Sequence, residues 1–402
     1  MKLNVKSGKG MAGRVAFVAI VLAMALPGWA QSQVSRDGNA WVETQSGTLQ
    51  PGRSLRVSAD VGSVTIETGG QGFRYVVRKR SYTSSEQEAR RQFDVFRVSA
   101  AKEGDVSVLR VSTTSGHFRN RFSADIVVSV PRDMDAIKVE TRAGNVAVQP
   151  TSAKLILATS GGNVMVEDGG QLRSVTMGGN TTIKNVAGDA EVQSGGGNIS
   201  IGTVKGRLVL NTDGGNVDVN SAGVAKIDTG GGCVTLWRSN GDADVRTGGG
   251  TIALGDVYGS TRAETGGGNI RVGMSKGPVI ASTGGGNVEL WKLYRGAQVQ
   301  TGAGAITAEF LGGKGAFGDS YLHTSAGDVV VYLTTAFSGS IRASSEMASG
   351  SGIRSDFPEL RITSEGGDYG PKAMFAEGSF NGGGPVLKVR TTIGQIAFRR
   401  SK

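Results

Sequence analysis

The chain has 402 residues, 65 of them glycine, with a single cysteine and a formal net charge of +10. The lone cysteine, Cys233, excludes a disulfide-stapled framework. Glycine at about twice the usual share of roughly 7% would signal disorder if it were not periodic.

Residues 1–30 read as a secretory leader. Lys2, Lys6, Lys9 and Arg14 form a basic start, Val15 to Leu26 is apolar, and Gly28 and Ala30 put small residues at −3 and −1 of a cleavage after Ala30. The apolar run of 12 residues falls short of the roughly 20 that span a bilayer. No later run is longer, so the mature chain is expected to lack a transmembrane segment and to be periplasmic, on the cell surface or secreted. Losing the four leader charges brings +10 to +6. That balance, spread along the chain, suits anionic envelope polymers and not nucleic acid.

Residues 31–140 are predicted to form an N-terminal β-rich cap with one short helix. They contain one partial copy of the later repeat, Leu55-Val57-Ala59 followed by Gly62-Ser63-Val64-Ile66. Ser84 to Phe93 reads as the helix, with Glu86 and Arg90 at i,i+4. Strand-like runs follow at 106–111 and 124–130. A stack of open strands needs such a cover at its edge.

Residues 141–335 carry a regular repeat. A phrase close to Thr-x-Gly-Gly-Asn returns every 17 or 18 residues, its asparagine slot falling at Asn145, Asn163, Asn180, Asn198, Asn216, Cys233, Thr251, Asn269, Asn287, Ala305 and, after a longer step, Asp328. Glycine precedes the slot in all eleven copies, and Thr or Ser stands four places before it. One and three places after the slot come apolar pairs such as Val217/Val219 and Ile270/Val272, with polar residues such as Asp218 and Arg271 between them. This is period-two alternation, a strand with one buried face. A second strand precedes the glycines, as in Ala243-Val245-Thr247, and a weaker apolar column lies six places after the slot at Val186, Val204, Val257 and Leu293.

Two strands and a short third side per repeat make one coil of a parallel β-solenoid, an all-β fold in which equivalent residues stack about 4.8 Å apart. Asn163, Asn180, Asn198, Asn216, Asn269 and Asn287 are then expected to stack as an amide ladder, and Thr212, Thr229, Thr247, Thr265 and Thr283 as a hydroxyl ladder. A propeller blade needs about 40 residues, and leucine-rich units need a helix or their own signature. An antiparallel meander stays open on the sequence. Residues 336–402 read as irregular coils and a looped cap, and Leu387-Val389-Thr391 with Gly394-Gln395-Ile396-Ala397-Phe398 restores the coil pattern.

The repeated Thr-x-Gly-Gly-Asn-Val/Ile phrases, the stretch Ser351-Gly352-Ile353-Arg354-Ser355-Asp356-Phe357-Pro358 and the run from Asn381 to Thr391 resemble the bacterial putative-adhesin family of β-strand-repeat proteins. The resemblance covers the chain from about residue 40. It implies a solenoid-like β fold at the cell envelope and brings no established catalytic residues. This chain departs from the more usual Ser-Gly-Asp turn, and its Gly-Gly-Asn removes a column of negative charge.

No chemistry converges in the sequence. Asp213, Asp218, Asp228, Asp242, Asp244 and Asp256 fall in different columns, whereas hydrolysis or elimination needs acid and base groups on one groove. Calcium ligation wants several carboxylates, and the slot holds mostly neutral asparagine. His117 and His323 have no metal-spaced partners, so neither metal nor cofactor is expected.

Trp237 and Trp291 share the column four places after the slot, and Tyr258 and Tyr294 share another, seven after it. Alternation points the tryptophans outward, near Arg238 and Lys292. Exposed aromatics on a rigid face suit sugar rings or protein partners. The expected function is a non-enzymatic envelope scaffold or adhesin-like surface for an envelope polysaccharide or protein partner. A polysaccharide lyase or hydrolase and an envelope-stress or regulatory interaction module remain open alternatives, as does the oligomeric state.

Overall fold

The computed structural model describes residues 31–114, 122–311, 317–348, 352–366 and 372–401. The leader and His117 lie outside the described residues.

Alternation in sequence becomes alternation in burial. In Ala243–Thr247 and in Val288–Leu293 every apolar member of the pattern points inward. We call the strands that end in the repeat's threonine the threonine face, and those that follow its glycine turn the asparagine face. On each face successive coils pair in parallel and in register, so like residues stack on like. Val219 pairs with Leu236, Leu236 with Leu254, Leu254 with Val272 and Val272 with Leu290. The third column does the same, from Val186 to Val204, Ala222, Ser239, Val257, Ser275 and Leu293. The fold is a β-solenoid, and its interior is one continuous apolar column from Leu49 to Phe398.

Both ends depart from sequence order. The early coil, Ser54–Ala59 with Ser63–Thr68, is not the outermost layer. It lies between the coil of Val106–Thr113 and Phe122–Val130 on one side and that of Ala136–Thr141 and Val146–Val148 on the other. Outside it, antiparallel pairing takes over. Phe96–Glu103 covers the threonine face, and Arg74–Ser81, Ala40–Thr48 and Gln31–Asp37 cover the asparagine face in turn. The helix is Glu86–Phe93, capped by the Ser85 hydroxyl taking the Glu88 N–H at 3.2 Å, with Glu86 paired to Arg90 and Ala89 and Phe93 buried.

At the other end, Val386–Ile393 inserts between Ser320–Ala326 and Gly339–Met347, and Ile396–Arg400 between Val329–Leu333 and Ile353–Ser355. The restored coil pattern near residue 387 is therefore an interior layer. Antiparallel strands Ala373–Phe380 and Arg361–Glu365 close the threonine face. Edge-on contacts from Phe310 through Phe317, Phe337 and Phe380 to Phe357 fill the interior there. Among the described residues no helix is long and apolar enough to cross a membrane.

Candidate functional site

The repeat phrase itself is structural. The hydroxyls of Thr247, Thr265 and Thr283 each donate, at 2.8 Å, to the carbonyl of the glycine before the slot in the preceding coil: Gly232, Gly250 and Gly268. Each also accepts the N–H of its own turn's glycine at 3.2 Å. Thr229 makes the second of these bonds, and Thr212 donates instead to Gly214 in its own turn. The asparagines behave alike. Asn163 takes the N–H of Asn180, Asn180 that of Asn198, Asn198 that of Asn216, Asn216 that of Cys233, Asn269 that of Asn287 and Asn287 that of Ala305. Both ladders thus run from side chain to backbone, not between side chains as expected from the sequence. The turn's amides and carbonyls lie at a bend that strand pairing leaves unserved, and the side chains fill that gap.

The aromatic columns meet at the corner between the asparagine face and the short third side. Inward–outward alternation stops there, so the residues four and five places after the slot both face solvent, as in Val234–Ser239. Trp237 is 61% exposed. Tyr258 lies between two cations from the coils on either side, with Arg238 4.8 Å and Lys276 4.7 Å from its ring centre. Its faces are therefore engaged, and of the sequence-predicted residues the structure brings together Tyr258 and Arg238. Tyr294 is exposed in the same column.

Trp291 is half-buried, its ring 5.9 Å from that of Tyr332. The strand bulges at this point, with a register shift between Leu290 and Leu293 against the next coil. Lys292 takes the left-handed φ of 50°, and its N–H donates to Glu309 Oε2 at 3.3 Å. Such a conformation costs a non-glycine residue about 1–2 kcal/mol.

Sequence reasoning missed Lys276 and Tyr332. Lys276 shares the column of Tyr258, so the same indexing finds it. Tyr332 shares the column of Trp291, but the longer step before Asp328 masked that.

A family model described as Toastrack DUF4097 matches residues 53–370. The chain belongs to the Toastrack DUF4097 family. This agrees with the resemblance carried by its repeats. Among solved structures, this Toastrack chain is similar to a putative cell adhesion protein from Clostridium sporogenes, at 9% identity, with 90% of this chain and 100% of that one covered and a TM-score of 0.18. It is also similar to a putative adhesin from Parabacteroides distasonis, at 15% identity, 72% and 96% coverage and a TM-score of 0.23. A putative lipid binding protein from the same organism is similar at 12% identity, 91% and 98% coverage and a TM-score of 0.18. Likenesses this distant carry no argument about function. No curated protein matches the chain.

Two of the acidic residues of the Toastrack coils serve structure. Asp242 accepts the Ser260 N–H at 2.7 Å, and Asp244 pairs with Arg246, which also meets Glu264. A shallow cleft of about 300 Å³ on the threonine face is lined by Asp60, Glu140 and Arg142 among others. There Asp60 accepts the Thr113 N–H at 3.0 Å and lies 3.8 Å from Arg142. Among the described residues no three His, Cys, Asp or Glu side chains gather as a metal site. Burial in the N-terminal cap raises the Tyr75 phenol above its ordinary value.

Proposed function

We propose that this protein is an exported, non-enzymatic β-solenoid acting at the cell envelope as a scaffold or adhesin-like binding surface. The observation that carries the reading is Trp237, a large ring open to solvent on a face held by parallel pairing on both sides. An exposed aromatic on a rigid support stacks against sugar rings or partner side chains at little entropic cost. A long regular rod multiplies weak contacts along a polymer. Export rests on the leader pattern of residues 1–30, which leaves periplasm, cell surface and medium as destinations.

The test is a binding screen of the mature protein against cell-envelope glycans, with the double variant Trp237→Ala/Trp291→Ala beside it. Binding that the double variant loses while its melting stays unchanged supports the reading. Indifference to both substitutions removes it, and reproducible chain cleavage replaces it with an enzyme.

A further inference from the structure

The two tryptophans of the corner are separated by two coils that carry no side chain in the same column. The pairs Leu236–Leu254 and Arg238–Asp256 flank Trp237 and Gly255, and Leu254–Val272 and Asp256–Met274 flank Gly255 and Gly273. Val272–Leu290 and Ser275–Leu293 then bracket the bulge that carries Trp291. Three coil steps put the tryptophan backbones about 14 Å apart. Between them lies a floor of bare backbone, flanked on both sides by residues paired from coil to coil.

Charge is uneven around this floor. Arg238, Lys276 and Lys292 stand beside it with Asp256 as the one carboxylate of those coils' corner positions, and none of these four is in an ion pair among the described residues. Arg238 lies over Tyr258 although Asp256 is its direct neighbour across the pair. The left-handed Lys292 belongs to the bulge that sets Trp291 at the far end of the floor.

We infer that the floor of Gly255 and Gly273 between Trp237 and Trp291 seats an acidic polysaccharide running along the stacking direction. This rests on the binding-surface reading above and narrows it to one place and one ligand class. Flat apolar ring faces meet the indoles, and the bare floor admits a chain that side chains would lift away. The cations meet carboxylate or sulfate groups. The core of a protein–protein interface is depleted of charge, whereas Arg238, Lys276 and Lys292 stand beside this floor.

The experiment measures binding of the purified protein to polygalacturonate and to its fully methyl-esterified form, which keeps the sugar chain and removes its charge. The expected result is binding to polygalacturonate that falls with added salt, and a loss of about tenfold or more on esterification. Gly273→Gln grows a side chain from the floor and deletes no aromatic. A Cβ there lies 3.1 Å from the Gly255 carbonyl oxygen, so the neighbouring coil must give slightly. Gly273→Gln is expected to weaken binding about tenfold in a protein that remains folded. Lys276→Gln, which removes an exposed cation beside the floor and adds no new Cβ, gives the answer if Gly273→Gln unfolds.

Equal binding of the charged and esterified polymers overturns the acidic ligand, and native binding by folded floor variants overturns the seat. No binding of polygalacturonate overturns the inference as a whole. A different glycan whose binding needs Trp237 would still uphold the broader reading in that case. Loss of binding on dilution to monomer would reassign the corner to contact between two copies of the chain.

Discussion

The Thr247 hydroxyl donates to the Gly232 carbonyl one coil away, at 2.8 Å, and takes the Gly250 N–H of its own turn at 3.2 Å. One buried atom thereby joins two coils and closes a turn. Thr247→Val keeps shape and volume but leaves a carbonyl and an amide without that partner. The expected loss is about 1–3 kcal/mol, read as a lower urea midpoint with an unchanged slope. A midpoint equal to the parent's would mean that water replaces the hydroxyl without cost.

The two glycines of one turn have opposite tolerances. A Cβ on Gly250 would run into the Gly232 carbonyl and the Cys233 nitrogen, whereas a Cβ on Gly249 meets open space. Gly250→Ala must push coils apart and is expected to destabilise by about 1–3 kcal/mol. Gly249→Ala is expected to lie within about 1 kcal/mol of the parent. Thermal melting of the pair side by side reads the difference, and equal melting of both would show that the coils separate freely.

That contrast also marks what the sequence could tell. Glycine before every slot is legible as a close-packed column, since one steric demand recurs at each step. The faces, the inward residues and the helix are legible for the same reason, because each follows from local alternation or capping. The out-of-order coils 54–68 and 386–400 are not. Each carries the same strand signature as its neighbours, and parallel pairing of like on like does not depend on chain order. At the corner, Trp237 follows from periodicity, but the engaged faces of Tyr258 and the bulge at Lys292 arise from neighbours in other coils.

The run of asparagine carbonyls breaks where Cys233 and Thr251 occupy the slot. Asn216 serves the Cys233 N–H at 3.0 Å, and the series resumes with Asn269 serving Asn287. Cys233→Asn places a carboxamide where Asn216 and Asn269 hold theirs, within reach of the Thr251 N–H. One added side-chain-to-backbone bond at an exposed turn is expected to contribute about 0.5–1.5 kcal/mol. Chemical unfolding measures it, with Cys233→Ser as the control for removing the thiol. Equal stability of the two variants would show that the slot gains nothing from a carboxamide.

The inserted coil near the C-terminal cap makes a further demand. Phe398 is fully buried and sits between Val331 of one layer and Ser355 of the other, although neither neighbouring layer adjoins it in sequence. Phe398→Ala opens a void that two flanking coils and the phenylalanines beyond them cannot fill without shifting. The expected cost is about 3–5 kcal/mol. Because coils stack in series, the damage should concentrate at this end. Hydrogen exchange provides the check: amides of Val329–Leu333 and Ile353–Ser355 should lose protection while those of Val217–Thr229 keep theirs. Uniform loss along the whole stack would instead make the rod one cooperative unit, with the inserted coil no more than an ordinary layer within it.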